Sequence, residues 1–486
     1  MKKSSQAVSV ASAVALATAL AAAAVKISQA AAESPITNRF SRTVRVWRLS
    51  TRNAARYGAM KVRRVASPAD RRAALDEQFA IRTAEDVAKH LGEMKGVLMK
   101  AGQLVSFIFE TLPDDAQAAL ATLQADAAPM SPSLAAGVIA AELGAAPERV
   151  FLDWTDVPVA AASIGQVHRA VTHDGVDVAV KVQYPGVGDA IETDLDAAEV
   201  MYAMFSAMML KGLDAKSLVD ELRERMREEL DYELEAENVR EFGEIFAGHP
   251  WARVPSVIPE LSTRRVLTTE WVDGMSFDEF RRTASPATKQ RAGEVIWRFA
   301  QHAVLRHGAF NGDPHPGNYK FHHDGSVTFL DYGLVKRWSS GEWEILAPTL
   351  DAIVVRRDPH HLVAAMEASG FLRMGHGLDA ELVYDYVSSP YEPYLTDEFT
   401  FSRQWMIDTI GKMFDVKGPH QPVIEALNMP ATFVILDRVV WGINAILGKL
   451  DVSGPFRGML LEYIAGSEPA TDLGAAEAAW RAASRS

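Results

Sequence analysis

The segment Asn311-Gly312-Asp313-Pro314-His315-Pro316-Gly317-Asn318 limits what this chain can fold into more than any other stretch of its 486 residues. Each proline fixes its own φ and lacks a backbone N–H, so neither a helix nor an inner strand runs through the segment. It must be a rigid loop, of the kind that holds side chains in place. The side chains it holds are Asp313 and, five residues on, Asn318. Thirteen residues past Asn318 comes Asp331-Tyr332-Gly333. The intervening Tyr319 to Leu330 reads as a small hairpin turned by Asp324-Gly325, which returns Asp331 to the side of Asn318. Their oxygens are hard donors of the sort Mg2+ takes, so Asn318 and Asp331 are the candidate metal ligands. His315 is assigned to bracing the loop, because Mg2+ prefers oxygen to nitrogen.

Upstream, Val178-Ala179-Val180-Lys181 reads as a strand that ends in a lysine, an unfavourable arrangement unless the ammonium meets an anion. A strand lysine, then D-x-x-x-x-N, then D-Y-G is the order of groups in a protein-kinase site. That order makes Lys181 the ligand of the α/β-phosphates and Asp313 the group that orients or deprotonates the nucleophile. Counted back from Lys181, the kinase loop G-x-G-x-x-G-x-V falls on Ala160, Ala161, Ala162, Ser163, Ile164, Gly165, Gln166 and Val167. The third glycine and the valine are in place, and the first two glycines are alanines. Alanine adds a methyl and disfavours positive φ, so this loop is expected to be stiffer and to hold phosphate differently. The lysine also needs a carboxylate on a helix. Within Glu228 to Asn238, Asp231, Glu235 and Asn238 share one face of an ideal helix while Glu229 points elsewhere, and Glu235 is taken as the partner. Thr268 to Gly274 follows a strand and ends in a turn. Its place in the order makes Glu270 and Val272 the hinge whose backbone would meet adenine.

The chain contains no cysteine, which excludes disulfides, thiolate metal sites and thiol catalysis. A net charge of −13 argues against general nucleic-acid binding. The charge is uneven. Arg42, Arg45, Arg48, Arg52 and Arg56 recur three or four apart and would form one basic stripe on a helix, suited to anionic lipid head groups or to a solvated linker face. Before them, Lys2 and Lys3 precede an uncharged, alanine-rich stretch from Ser4 to Val25. It fits a secretory signal, an uncleaved membrane anchor or a disordered leader. Export would separate the site from ATP, which favours anchor or leader.

Residues 70–150 read as helical, with boundaries at Pro113 and at Pro129/Pro132. Strands are expected over Val150 to Ala162, Gly165 to Val171 and Asp177 to Gln183, then a helix over Lys216 to Ala247. A strand pair follows near Arg253 to Pro259 and Arg265 to Trp271, and a helix over Pro286 to His307. His322-His323 and His360-His361 are read as surface histidines. From Gly341 on the pattern is mostly helical. Ala431 to Leu450 is apolar but holds Asp437 and Arg438, so it is not read as a membrane span. Strands first and helices later give an α+β, two-lobed plan.

Several motifs now stand together: alanines at 160–162 with Ser163, an intact D-P-H-P-G-N loop, Lys100-Ala101-Gly102-Gln103 in a helical segment, and Glu229-Leu230-Asp231. With them the chain resembles the UbiB/AarF/ADCK family of atypical protein-kinase-like proteins, from about residue 85 to about residue 370. The resemblance implies a two-lobed protein-kinase-like fold. Residues 1–35 would be the leader or anchor, 36–75 the basic segment, 76–150 a helical extension carrying K-x-G-Q, 151–272 the N-lobe and 273–486 a largely helical C-lobe. It implies further that the extension folds over the cleft, that Lys100 and Gln103 face Glu229 and Asp231, and that Glu235 pairs with Lys181. A lysine brought to that acidic pair is stabilised by charge and can reach the γ-phosphate, which makes Lys100 a candidate catalytic residue. No A-P-E motif follows Asp331, and Ser339-Ser340-Gly341-Glu342 reads as a capped helix start, so peptide phosphorylation is disfavoured.

The expected function is therefore a Mg2+-dependent ATPase or kinase supporting ubiquinone or other isoprenoid-lipid metabolism. ATP and Mg2+ are the implied cofactors. An isoprenoid lipid or quinone precursor and a membrane surface are the implied partners, with the ATP site facing the cytosol or its organelle equivalent. The alternatives are a small-molecule phosphotransferase using the same Asp313, Asn318 and Asp331, and a nucleotide-gated, lipid-binding pseudokinase.

Overall fold

The computed structural model describes residues 130–188 and 227–484, apart from Ser163, Ser340, His376, Phe414, Val416, Lys417, Met429 and Pro430. The chain divides into two units, Met1–Pro129 with Gly186–Arg223, and Met130–Pro185 with Glu224–Ser486. The leader, the basic stripe, Lys100 and Gln103 lie outside the described residues. The second unit carries the strands, the hairpin and the proline-rich loop.

Helix α1 (Pro132–Leu143) begins on a proline and stops at Gly144, whose φ of 79° lies in the left-handed region. Strands β1 (Asp153–Trp154), β2 (Ala160–Ala161), β3 (Gly165–Val171) and β4 (Asp177–Gln183) follow. Next come α2 (Tyr232–Ile245), β5 (Ala252–Arg253) and β6 (Val266–Glu270). Strand β6 completes an antiparallel sheet in the order β1-β3-β4-β6, with β2 paired to the other half of β3. The two-residue period of a strand sorts this sheet into two faces. Val178, Val180 and Val182 are each 0% exposed and pack with Ala170, Val266 and, from α1, Val138 and Ile139. Lys181 and Gln183, with Val167 and Gly165 directly across from them, occupy the opposite face.

Two polar side chains are buried on the α1 side and are satisfied in series. The Met130 N–H donates to Gln166 Oε1 (2.8 Å), Gln166 Nε2 meets His168 Nε2 (2.8 Å), and His168 Nδ1 meets the Thr155 carbonyl (2.8 Å). A carbonyl only accepts, so the His168 proton is on Nδ1 and Nε2 accepts from Gln166. Burial holds His168 below its ordinary histidine value. The end of α1 is fastened by Glu142, which accepts from Thr263 Oγ1 (2.7 Å) and Arg265 Nε (2.8 Å).

The chain continues through α3 (Phe277–Thr283) and α4 (Pro286–His302), which runs on as a π-helical turn to His307. Then come β7 (Ala309–Asn311), β8 (Tyr319–Phe321), β9 (Val327–Phe329) and β10 (Val335–Arg337). β8 and β9 form a hairpin with β5 parallel to β9, and β7 pairs with β10 as a separate ribbon. Phe299 of α4 stacks on Phe329 at 3.6 Å between centroids, seating the hairpin on the helix. The rest of the unit is mostly helical and includes α5 (Glu342–Leu350), α6 (Pro359–Ser369), α7 (Ala380–Val387), α8 (Arg403–Met413), α9 (Ala431–Lys449), α10 (Phe456–Ile464) and α11 (Asp472–Ala483). Among the described residues no helix is long and apolar enough to cross a membrane. Helices α4, α10 and α11 meet around buried charge. Arg298 pairs with Glu294 (2.7 Å), Glu462 (2.8 Å) and Glu477 (3.3 Å), and His302 Nδ1 meets Glu477 at 2.8 Å.

Local expectations change in four places. The single strand expected over Val150 to Ala162 is two short pieces, β1 and β2, separated by a segment containing Pro158. Of the helix expected over Lys216 to Ala247, residues 216–226 lie outside the described residues, and the described part is interrupted at Asp231, whose backbone is extended and whose carboxylate accepts from the N–H groups of Glu233 (3.0 Å) and Leu234 (3.4 Å). Asp231 thus caps α2 instead of lying on its face. The stretches 253–259 and 265–271 do not form a strand pair, because β5 joins β9, β6 joins β4, and a lone bridge at Val257 and Thr269 connects them. His322 is half-buried, with Nε2 2.9 Å from Thr328 Oγ1, and is not a surface histidine.

Candidate active site

Lys181 lies in the middle strand of the first sheet, paired across to Val167 on one side and Leu267 on the other. Its neighbours Val180 and Val182 point into the core, so the lysine must point away from it. There it meets Glu235 of α2, with Nζ 2.7 Å from Oε1 and 2.9 Å from Oε2. The side chains are 14% and 3% exposed, so this pair is shielded from solvent screening. The Asp331 carboxylate stands 3.5 Å from the same ammonium. Burial alone would lower the Lys181 pKa, but the charges of Asp331 and Glu235 outweigh it and hold it well above the ordinary lysine value.

Asp331 is held by short-range geometry. The Leu330 N–H donates to the Asn318 carbonyl (2.9 Å), closing the β8–β9 hairpin so that the residues on either side of it are brought together. Asn311 Nδ2 donates to the Asp331 carbonyl (2.5 Å), and the Gly333 N–H donates to Asp331 Oδ1 (3.0 Å). Asn311 also accepts from the Asp313 N–H (3.0 Å), so one amide sets both aspartates. Asn318 Nδ2 donates to the Asp313 carbonyl (3.2 Å), which leaves its Oδ1 on the opposite side of the amide for a ligand. His315 donates its N–H to the Asp313 carbonyl (2.7 Å) and accepts at Nδ1 from Gly317 (3.1 Å).

Helix α2 is tied to this loop again at its middle. Asn238 Nδ2 donates to the Tyr332 carbonyl (3.0 Å), while Asn238 Oδ1 accepts from Arg337 (2.8 Å), which also pairs with Glu241. Tyr332 itself is 0% exposed and packs on Phe242 of α2 at 4.9 Å. Movement of α2 would therefore carry Glu235 and the Asp331 backbone together.

The alanine-rich stretch has its own explanation. Ala160 and Ala161 are exposed and extended, in register with Val167 and Gln166, and the Ala162 N–H donates to the Gly165 carbonyl (2.9 Å). Positive φ is found among described non-glycine residues only at Arg357 and Asp451, so the alanines carry no left-handed strain. Gly165 is different. A Cβ there would lie 2.4 Å from the Val182 carbonyl oxygen and 2.8 Å from Tyr232 Oη. A backbone oxygen in a central strand cannot step aside, so Gly165→Ala is expected to lift the loop and lower stability by about 1–3 kcal/mol. Thermal unfolding of that variant beside Ala160→Gly checks this, and Ala160→Gly should cost less.

The remaining sequence-chosen residues are more loosely placed. Glu270 ends β6 opposite Val178, and its N–H is taken by the Ser256 carbonyl (2.8 Å). Val272 is half-buried just beyond it. Glu229 is buried, and Asp231 lies 3.8 Å from Arg264 in addition to capping α2. Ser163, Lys100 and Gln103 lie outside the described residues. Sequence reasoning passed over Asn311, whose two-residue spacing before Asp313 is the signal of an Asx turn. It also passed over Tyr232, which nothing local marks.

Mg2+ fits the donor set in one respect. Among the described residues no group of three or more histidine or acidic side chains could hold a metal alone. Asp331 and Asn318 would supply two oxygens, as expected for an ion that keeps waters and shares a substrate's phosphates.

Comparison with known proteins agrees with this architecture. The ABC1 atypical kinase-like domain matches residues 122–366. The protein ACTIVITY OF BC1 COMPLEX KINASE 1, chloroplastic, of Arabidopsis thaliana is 33% identical over 309 residues, covering 61% of this chain and 44% of that protein. Atypical kinase COQ8, mitochondrial, of Saccharomyces cerevisiae is 32% identical over 283 residues, covering 58% of this chain and 55% of that one. The chain thus spans about half the length of these curated relatives. The solved complex of Rv3197 with erythromycin from Mycobacterium tuberculosis is similar with a TM-score of 0.58 and 32% identity, covering 77% of this chain and 93% of that one. The kinase-like α+β plan with a helical C-terminal part is the observed fold, and the chain belongs to the ABC1 atypical kinase-like family, the group also called UbiB/ADCK.

Proposed function

We propose that this chain binds ATP with Mg2+ at the Lys181–Glu235–Asp331 cluster and hydrolyses it or transfers its γ-phosphoryl group, in support of isoprenoid-quinone or related lipid metabolism at a membrane. The observation that carries the reading is the shielded Lys181–Glu235 ion pair with the Asp331 carboxylate 3.5 Å from the same ammonium. In this reading Lys181 takes α/β-phosphate oxygens, and Asn318 and Asp331 hold the cation. A bound Mg2+ would neutralise charge on the phosphate oxygens. Asp313, whose backbone is fixed by Asn311, Asn318 and His315, orients the attacking hydroxyl or water and accepts its proton. Since the Glu270 N–H is already used, recognition of the base falls to the Glu270 carbonyl and the Val272 backbone. Ala160, Ala161, Ala162, Ser163, Gly165 and Val167 cover the phosphates.

The lipid role rests on the family resemblance and on relatives named as mitochondrial or chloroplastic. Phosphate release from ATP, followed with and without phospholipid vesicles, tests both halves. The rate should rise with vesicles, and Asp313→Asn should lower it by about 10²–10⁴-fold. A rate indifferent to that substitution would sink the catalytic reading.

A further inference from the structure

We propose that the Tyr232 hydroxyl is a phosphate-binding group of this cleft, donating to an oxygen of the nucleotide beside Lys181, and that residue 165 is glycine to leave room for it. The inference rests on the nucleotide reading above. Tyr232 opens α2, directly after its cap, and is 0% exposed. Its ring lies over the Lys181 ammonium, 5.1 Å from Nζ to the centroid. Its Oη has no hydrogen-bond partner among the described residues. The hydroxyl is on the ligand side of the sheet, because the Cβ it would meet at Gly165 points to the same face as Val167 and Lys181.

Buried hydroxyls in folded proteins nearly always find a partner, and one left unpaired beside a charged site marks a place where a ligand completes the bonding. The Lys181 ammonium has three protons, and three carboxylate oxygens already surround it: Glu235 Oε1, Glu235 Oε2 and Asp331 Oδ2. An incoming phosphate therefore gains from a second donor. Burial pushes the Tyr232 hydroxyl well above the ordinary tyrosine value, so it remains a neutral donor at physiological pH. Tyr332 also has an unpartnered buried hydroxyl, but its ring is packed against Phe242.

Tyr232→Phe separates the hydroxyl from the ring. The full-length variant and wild type are compared by thermal unfolding without nucleotide and by calorimetric titration with ATP and Mg2+. Loss of an unpaired buried hydroxyl should raise the nucleotide-free midpoint by about 2–4 °C. Loss of its bond to phosphate should weaken MgATP binding by about tenfold. The two changes in opposite directions support the proposal. Affinity within about twofold of wild type overturns it. A weakened affinity with a lowered midpoint also overturns it, since that would assign the residue to packing. If wild type fails to bind MgATP, the nucleotide reading itself falls and this inference with it.

Discussion

Asp331→Asn is expected to lower ATP turnover by at least about 10²–10³-fold while leaving the fold intact. The substitution keeps the shape of the side chain and an oxygen to accept the Gly333 N–H, now 3.0 Å from Asp331 Oδ1. The backbone restraint from Asn311 is untouched. What disappears is a full negative charge, one of two carboxylates facing Lys181 and the only acidic member of the proposed cation pair. Glu235 remains as the partner of Lys181, so the ion pair of the first sheet persists. Phosphate release measured beside thermal unfolding distinguishes the two effects. A variant as active as wild type would remove Asp331 from the chemistry.

Glu477→Gln is expected to destabilise the second unit at neutral pH by on the order of 3 kcal/mol. Glu477 is 2% exposed and receives His302 Nδ1 (2.8 Å), Tyr463 Oη (2.6 Å) and Arg298 (3.3 Å). Burial works against its charge, but the bonds from His302 and Tyr463 and the charge of Arg298 outweigh it, holding the carboxyl at about 2 against an ordinary value of 4.5. The folded value is depressed, so the contribution is present above pH 4.5 and is lost as pH falls toward 2. Chemical denaturation at several pH values should show stability falling through that window in wild type and a flatter profile in Glu477→Gln. Equal pH dependence in the two proteins would contradict the assignment.

Parts of this structure were legible because they depend on short stretches of chain. Prolines at 314 and 316 and the Asp324-Gly325 turn specify the loop and the hairpin locally, and the hairpin brings Asn318 and Asp331 together by its own closure. The Lys181–Glu235 pair spans 54 residues, yet it could be read because strand and helix periodicities fix which way each side chain points. The same periodicity misled at Asp231, where capping chemistry won over helix continuation. Pro158 similarly cut a strand that alternation alone would have continued. The Arg298 network was not legible. Arg298 and Glu477 lie 179 residues apart, and in sequence the network's members look like ordinary charges on a solvated helix face. The contact between Gly165 and Tyr232 is of the same kind, since the retained glycine is explained by a side chain brought in by packing.

The central claim is that one cluster holds nucleotide and divalent cation together. It is tested most directly by titrating the full chain with ATP calorimetrically, with Mg2+ and again with the metal chelated, and repeating both titrations on Asn318→Ala. The account predicts saturable binding that depends on Mg2+ and a metal dependence that is largely lost in the variant. Absence of ATP binding, or binding indifferent both to Mg2+ and to Asn318→Ala, would contradict it.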